Sequence, residues 1–214
     1  MVDATKEPTV RTRVLNGVAV PSVPPEEEQD YYPNHERASI RSLRRHVRRG
    51  DSVVVVGGGW GASTVVAARM THFEGEVTAF EPSSEMVDTI RHALTVNGVT
   101  DVASVEHAAI GPVREANAKY FGPADGDRLP PEAVPACDVL ELDCEGAELA
   151  VLRVLDFRPR VIIVEGHPHI GCPGDEVKAE LDRLGYDVVD EGTAGMDDDL
   201  PVITALRDER KGPT

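Results

Sequence analysis

The chain is poor in lysine and in aromatic residues. Lysine occurs only four times among 214 residues, at Lys6, Lys119, Lys178 and Lys211, and Phe, Trp and Tyr together make up 4%. The core must therefore be built mainly from valine, leucine, isoleucine and alanine. With 38 acidic against 22 basic residues, the formal net charge is −16. This charge argues against nucleic acids and anionic membranes as partners, because both are negatively charged themselves.

Abundant acid, scarce lysine and small apolar side chains are together typical of proteins adapted to high salt. In concentrated salt, screening relieves the repulsion between surface carboxylates. We therefore interpret the chain as salt-adapted, with a source resembling the haloarchaea. An ordinary acidic cytosolic protein is the alternative.

Cysteine is also scarce, and its spacing excludes two kinds of stabilisation. The three cysteines are far apart and form no C-x-x-C pair, so neither a disulfide framework nor a zinc pattern is predicted. Glycines interrupt the longest apolar run before it reaches a membrane-spanning length. The first residues, MVDATKEP, lack the basic start and apolar core of a secretory signal. We expect a cytoplasmic protein with reduced thiols.

A glycine-rich turn follows an apolar run at residues 53–61, which read VVVVGGGWG. The valines suit a strand buried on both faces, and Gly57, Gly59 and Gly61 allow a sharp turn and a close approach to a ligand. The helix that follows would direct its free N–H groups at that ligand. The spacing G-x-G-x-G is typical of S-adenosylmethionine enzymes. Gly57, Gly59 and Ala62 also fit the dinucleotide pattern G-x-G-x-x-A, so the turn alone leaves the nucleotide open.

Two acids are candidates for further cofactor contacts. Residues 76–81 predict the second strand, with Glu81 at its tip, 20 residues after Gly61. An acid at this place can accept hydrogen bonds from ribose hydroxyls. Glu106, near the end of a third predicted strand over 102–107, is a candidate for the neighbourhood of the adenine. A plain surface position is the alternative for both acids.

Strand-like and helix-like segments alternate along most of the chain, which predicts an α/β three-layer sandwich with a mostly parallel sheet. We expect this domain over residues 36–208, with a tail over 209–214. Residues 1–35 are polar and proline-rich and are interpreted as an irregular arm. A helix is expected over residues 36–49, with solvated faces that carry Arg41, Arg44, Arg45, Arg48 and Arg49. Residues 110–135 are expected to be an irregular connection near the site.

Residues 138–148, DVLELDCEGAE, closely resemble the block I-K-I-D-V-E-G-A-E of the FkbM-type methyltransferase family. Residues 77–82 (VTAFEP) and 94–98 (LTVNG) are similar to the family's Y-A-F-E-P and L-x-x-N-G. The resemblance implies a class I S-adenosylmethionine-dependent methyltransferase with a Rossmann-like, seven-stranded sheet. It also implies the strand order 3-2-1-4-5-7-6, with strand 7 antiparallel. The implied cofactor is S-adenosylmethionine, and the implied acceptor is an oxygen of a small molecule or sugar. The oligomeric state stays open.

Asp143 and His167 are the candidate catalytic residues, because they follow the predicted fourth and fifth strands. Ligands of open α/β sheets bind beyond the carboxyl ends of the strands, where the glycine turn also lies. A carboxylate can accept the hydrogen bond of a hydroxyl, and a neutral imidazole can take its proton. Asp143 is also expected to border the cofactor, whereas Glu148 is expected to have a structural role in the first turn of a helix. The spacing of Glu165, His167 and His169 matches no standard metal site, so no metal is expected.

Two other classes of function stay open. The first is an NAD(P)-dependent oxidoreductase, although the chain contains no Tyr-x-x-x-Lys pair. The second is a non-catalytic domain that binds S-adenosylmethionine as a sensor. Binding of the two cofactors and a methyl-transfer assay discriminate among the three.

We predict that the protein becomes more stable as salt is raised into the molar range, because screening weakens repulsion within a chain of net charge −16. Thermal melting in dilute buffer and in concentrated KCl measures the effect. A melting temperature that stays constant or falls would contradict salt adaptation.

Overall fold

The computed structural model describes residues 11–21, 30–113, 121–195 and 198–207. The strands in these ranges are β1 (Thr12–Leu15), β2 (Val18–Pro21), β3 (Tyr31–Tyr32), β4 (Ser52–Val56), β5 (Glu76–Glu81), β6 (Ala103–Ile110), β7 (Asp127–Leu129), β8 (Val139–Leu142), β9 (Val161–Glu165), β10 (Tyr186–Gly195) and β11 (Asp198–Arg207). The α-helices are α1 (Arg37–His46), α2 (Ala62–Met70), α3 (Ser84–Val96), α4 (Glu148–Val154) and α5 (Gly174–Arg183). Within the described residues, no helix combines the length and the apolar character needed to cross a bilayer.

The main sheet has the order β10-β11-β9-β8-β4-β5-β6-β7. Seven of these strands follow the order 3-2-1-4-5-7-6, counted from β4 as strand 1 and omitting β7. The strands from β9 to β6 pair in parallel, whereas β11 runs antiparallel to both β9 and β10. The Rossmann-like α/β fold is therefore confirmed.

An eighth strand corrects the expectation of a seven-stranded sheet. β6 runs on to Ile110, beyond the expected end at His107, and β7 pairs in parallel with its last three residues. A free strand edge offers unpaired backbone groups, and residues 127–129 satisfy them. Part of the connection over 110–135 is thus regular structure, while residues 114–120 lie outside the described residues.

The sheet is buried on both faces, as the four valines of β4 show. Val53 and Val55 pack into one apolar cluster and Val54 and Val56 into the other, and each is at most 4% exposed. Helices α1, α2 and α3 supply the first cluster with Ile40, Val65 and Ile90, among others. Helices α4 and α5 supply the second with Leu152 and Leu181. Alternating strand residues therefore build the two interfaces of a three-layer sandwich.

The N-terminal segment is not the irregular arm that was expected over residues 1–35. β1 pairs antiparallel with β2 and parallel with β3 in a separate small sheet. Asn16 and Gly17 both have positive φ at the β1–β2 turn, which is the geometry that an Asn-Gly hairpin favours. Val18 and Val20 are buried in the core, so apolar alternation outweighs the proline content. Residues 1–10 and 22–29 of this segment, and the tail over 209–214, lie outside the described residues.

The arginine-rich helix has the solvated face that was expected. α1 ends at His46, three residues before the expected end, and all five arginines between residues 41 and 49 are exposed. Arg41 pairs with Asp190 at 2.7 Å, and Arg49 pairs with Glu74. These contacts offset acids of neighbouring elements.

Asn97 joins the small N-terminal sheet to the main domain. Its Nδ2 donates to the carbonyl of Ala19 at 2.7 Å, and its Oδ1 accepts from the Ala19 N–H at 3.3 Å. Arg69 donates to the same Oδ1 at 2.7 Å and to the carbonyl of Gly17 at 3.1 Å. The side chain of Asn97 thus satisfies the open edge of β2, where another strand would otherwise pair.

We predict that Asn97→Ala lowers the free energy of unfolding by about 1–3 kcal/mol, because it leaves two backbone groups of Ala19 without a protein partner. Urea denaturation measures the change. His92→Ala, at an exposed position of α3, the helix that ends just before Asn97, is the control and should have little effect. Equal stability of Asn97→Ala and the wild type would show that the contact contributes nothing.

Candidate functional site

A cleft opens at the carboxyl ends of the central parallel strands. It comprises about 980 Å³ of space between atoms, including its open mouth. Its lining includes the glycine turn after β4, the tip of β5, the end of β6 and the loop after β8. The cleft therefore lies where open α/β sheets bind their ligands.

Gly57 and Gly59 shape the cleft in different ways. A Cβ built on Gly57, whose φ is 96°, would lie 1.7 Å from the carbonyl oxygen of Asp143. Only glycine therefore lets the turn after β4 pass against the loop after β8. A Cβ on Gly59 would meet nothing within 4 Å, and this residue borders the open space of the cleft. Gly61 does not line the cleft: it precedes α2 and packs against Ile90 and Ala93 of α3.

Glu81 ties the glycine turn to the tip of β5. It is 4% exposed, and its Oε2 accepts a hydrogen bond from the N–H of Gly59 at 3.0 Å. Its Oε1 accepts from the N–H of Ser83, also at 3.0 Å. Burial raises the pKa of Glu81, although the backbone N–H donors oppose the shift. A carboxylate has about four acceptor positions, so Glu81 keeps acceptor capacity beside the cleft that it lines.

Behind the cleft, four carboxylates surround one buried imidazole. We call Asp143, Glu145, Glu148, Glu165 and His167 the carboxylate–imidazole cluster. His167 is 1% exposed, and its Nδ1 lies 2.9 Å from Glu148 Oε1. Its Nε2 lies 3.5 Å from Asp143 Oδ1, 3.4 Å from Glu145 Oε2 and 3.8 Å from Glu165 Oε1. The cluster joins the loop after β8 to the loop after β9.

Glu148 anchors this cluster to the backbone. Its carboxylate accepts hydrogen bonds from the N–H of Cys144 at 3.1 Å and from the N–H of Gly146 at 2.9 Å. Burial would raise the pKa of Glu148, but the hydrogen bond with His167 and its charge, together with the N–H of Gly146, outweigh burial and lower the pKa. At the first position of α4, the side chain has the structural role that its place predicted.

Comparison with known proteins bears on the fold alone. No family model matches the chain, and no curated protein matches it. Among solved structures, the chain is similar to a precorrin-6y C5,15-methyltransferase from Geobacter metallireducens, with a TM-score of 0.55, 15% identity and coverage of 81% of this chain and 86% of that one. It is also similar to a SAM-dependent O-methyltransferase from Thermotoga maritima, with a TM-score of 0.53, 18% identity and coverage of 87% and 69%.

A third similar structure is aTrm5 in complex with tRNALeu, with a TM-score of 0.58, 10% identity and coverage of 96% of this chain and 55% of that one. The fold is that of class I S-adenosylmethionine-dependent methyltransferases. At these identities, the likeness does not extend to the acceptor, which differs among the three structures by their own descriptions.

Within this methyltransferase fold, Glu106 does not reach the site. Its side chain is exposed, and it does not line the cleft. Because β6 continues to Ile110, the residues that reach the carboxyl edge are Ala108, Ala109 and Ile110 instead. The sequence interpretation ended this strand too early and therefore assigned its polar residues to the ligand.

The expected role of His167 as a neutral base is not supported by its position. Its ring does not line the cleft. Burial alone would lower the pKa of His167, but the hydrogen bond with Glu148 and the charges of Asp143, Glu148 and Glu145 outweigh it and raise the pKa to about 9. The ring is therefore an imidazolium at neutral pH and has no free site for a proton.

Asp143 does line the cleft, beside Gly57 and Gly59. Burial raises the pKa of Asp143. The charge of His167 lowers it, whereas the charges of Glu36 and Glu145 raise it further, and the resulting pKa is about 7. Of the two expected catalytic side chains, it is the one that a ligand in the cleft can contact. Near neutral pH it can both hold and release a proton.

Two residues of the site were missed at the level of sequence. His35 and Glu36 line the cleft, and His35 Nε2 lies 3.0 Å from Glu36 Oε1. The hydroxyl of Ser63 donates to Glu36 at 3.1 Å and lies 2.8 Å from Glu141 Oε1. Burial and the charge of Glu36 raise the pKa of Glu141 well above its ordinary value, so this carboxyl stays protonated. In the sequence, Glu36 stands at the start of the helix predicted over residues 36–49, where an acid suits the helix dipole, so no local pattern marked it as a site residue.

We predict that the His167 imidazole titrates near pH 9 in chelator-treated protein, and that Glu148→Gln lowers this pKa by removing its nearest negative charge. Because the folded pKa lies above the ordinary 6.5, the contribution to stability is fully present below pH 6.5 and is lost as the pH rises through about 9. NMR titration and denaturation across this range measure both effects. Glu176→Gln, an exposed carboxylate of α5, is the control. A pKa at or below 6.5 would contradict the geometry.

Proposed function

We propose that this protein binds S-adenosylmethionine in the cleft and transfers its methyl group to a hydroxyl oxygen of a small molecule or sugar. One observation carries the proposal: the buried carboxylate of Glu81 holds the N–H of Gly59 at 3.0 Å and borders the same open space. A turn and an acid held in this way form one preorganised edge for a nucleoside.

The residues of the cleft fit this cofactor. Glu81 would accept the ribose hydroxyls with its remaining acceptor capacity. Apolar surface that suits an adenine is provided in the cleft by Phe80, Trp60 and Phe121. The ring centroids of Trp60 and Phe121 lie 6.5 Å apart. Gly59 adds no side chain where the ligand must approach.

The cofactor supplies a methyl carbon that its sulfonium already activates for displacement. The chain has mainly to align the acceptor with that carbon. Asp143 would accept the hydrogen bond of the acceptor hydroxyl and hold its proton at the carboxylate as the oxygen attacks. His167 would act as a positioning residue that keeps Asp143 in place through their contact at 3.5 Å.

The charge of the cleft favours a hydroxyl-rich, uncharged acceptor over a nucleic acid. Glu36, Asp143 and Glu145 all line it, and the whole chain carries a net charge of −16. Phosphate groups would be repelled on approach by these acidic lining residues. The resemblance of residues 138–148 to FkbM-type enzymes supports the same choice of an oxygen acceptor. Free cysteines among the described residues support a cytoplasmic location.

We predict that Glu81→Gln weakens S-adenosylmethionine binding by about 1.5–3 kcal/mol, the usual value of a hydrogen bond to a charged group. Calorimetry against S-adenosylmethionine and against NAD measures it. Glu106→Gln is the matched control, because this acid lies on the neighbouring strand but outside the cleft, and its affinity should equal that of the wild type. Binding of NAD without binding of S-adenosylmethionine would reject the proposal in favour of an oxidoreductase.

A methyl-transfer assay tests the acceptor. The protein is incubated with labelled S-adenosylmethionine and, separately, with the small-molecule, RNA and protein fractions of a cell extract. The proposal requires label in the small-molecule fraction and loss of transfer in Asp143→Asn. Label in RNA would reject the acceptor class, and binding without any transfer would identify a non-catalytic sensor.

A further inference from the structure

We propose that the carboxylate–imidazole cluster binds one divalent cation of the Mg²⁺ or Mn²⁺ type, with Asp143, Glu165 and His167 as ligands. The spacing of these residues along the chain matches no standard site, and none was expected from the sequence. The site is proposed from side-chain contacts and does not depend on methyl transfer.

The ligand atoms already lie at nearly the required separations. One atom from each of Asp143, Glu165 and His167 lies within 4.8 Å of the other two. His167 Nε2 is 3.5 Å from Asp143 Oδ1 and 3.8 Å from Glu165 Oε1. A six-coordinate cation with bonds of about 2.1 Å holds neighbouring ligand atoms about 3 Å apart and opposite ones about 4.2 Å apart. For neighbouring ligand positions, the separation of 3.5 Å would have to shorten by about 0.5 Å and that of 3.8 Å by about 0.8 Å.

A second observation points to a missing positive partner. Glu165 is 6% exposed, yet its Oε2 has no hydrogen-bond partner among the described residues. Oε2 of Glu145 is buried in the same part of the structure and has no hydrogen-bond partner among the described residues, although it forms an ion pair with His167 Nε2 at 3.4 Å. Buried carboxylate oxygens are normally satisfied, because leaving one without a partner costs about 1–3 kcal/mol or more. A cation in the cluster would give Glu165 the partner that it lacks.

The imidazole is oriented in the way that metal-binding histidines are. Glu148 holds Nδ1 at 2.9 Å and is itself fixed by the N–H groups of Cys144 and Gly146. Nε2 is thereby directed at the remaining three carboxylates. A carboxylate behind the histidine sets its tautomer and raises its strength as a ligand. A proton on Nε2 and a cation would occupy the same place, so metal binding displaces that proton.

Charge and ligand type identify the class of cation. Among the described residues, no lysine or arginine lies within ion-pair distance of Asp143, Glu145, Glu148 or Glu165, and His167 is their shared partner. Carboxylate oxygens with one imidazole suit Mn²⁺ and Mg²⁺ better than cations that prefer thiolates. Asp143 and Glu145 also line the cleft, so a cation reaches the cluster from there.

The test is Mn²⁺ binding to the chelator-treated full chain, without cofactor or acceptor. Loss of the free Mn²⁺ signal in electron paramagnetic resonance measures occupancy, in about 0.5 M KCl so that surface acids are screened. We expect one saturable Mn²⁺ site per chain that Mg²⁺ competes for. Glu165→Gln should weaken binding by about tenfold or more. Glu141→Gln is the matched control: it makes the same change at a buried carboxylate nearby that is not a ligand, and its affinity should change little.

Pulsed measurements on bound Mn²⁺ add a signature that a merely structural cluster would not give. We expect nitrogen coupling, which shows that an imidazole binds the ion directly, and the Nε2 of His167 lies within 3.8 Å of both carboxyl ligands. Asp143→Asn, at a partly exposed position, provides the test if Glu165→Gln fails to fold by circular dichroism. The proposal is overturned by absence of a saturable site, by wild-type affinity in the folded ligand variants, or by bound Mn²⁺ without nitrogen coupling. Because no cofactor is present, each result is independent of the proposed methyl transfer.

Discussion

The contacts of the His167 imidazole hold together the loop after β8 and the loop after β9, which carry the acidic residues of the site. Asp143, Glu145 and Glu148 belong to the loop and helix after β8, and Glu165 ends β9. Four carboxyl groups this close cannot all carry a charge in a buried place: burial and the charge of Asp143 raise the pKa of Glu165 to about 11, so this group stays protonated. The imidazole, together with the backbone N–H groups that bind Glu148, makes their burial tolerable. The position of Asp143 in the cleft therefore depends on a side chain that does not itself line it.

The glycine turn after β4 is held on one side by the loop after β8 and on the other side by Glu81. Gly57 passes so close to the carbonyl of Asp143 that no side chain fits between them. Glu81 fixes the other side of the turn through the N–H of Gly59. The contact between Glu81 and Gly59 and the carboxylate–imidazole cluster are thus separate, and Gly57 lies where the two parts of the site meet. A substitution in the carboxylate–imidazole cluster can therefore alter the acceptor chemistry while the contact between Glu81 and Gly59 stays intact.

Much of the fold followed from local pattern. β5 has the bounds that the sequence predicted, and the seven main strands have the order that the family resemblance implied. The errors fell where non-local pairing outweighs composition. The prolines and charges of residues 12–32 predicted irregular structure. The segment forms strands instead, because Val18 and Val20 are buried in the core of the domain. β6 extends past His107 because β7 supplies a partner for its edge.

The sequence by itself determined the class of fold, the glycine turn and the acid at the tip of β5, since each depends on residues close together in the chain and on alternation that strands impose. Only the tertiary structure decided which polar side chains share a site. His35 and Glu36 reach the cleft from before α1, Glu106 turns away from it, and Glu165 and His167 meet Asp143 across two loops. Burial and proximity set the pKa of His167 and of Asp143, and neither quantity is encoded in local spacing.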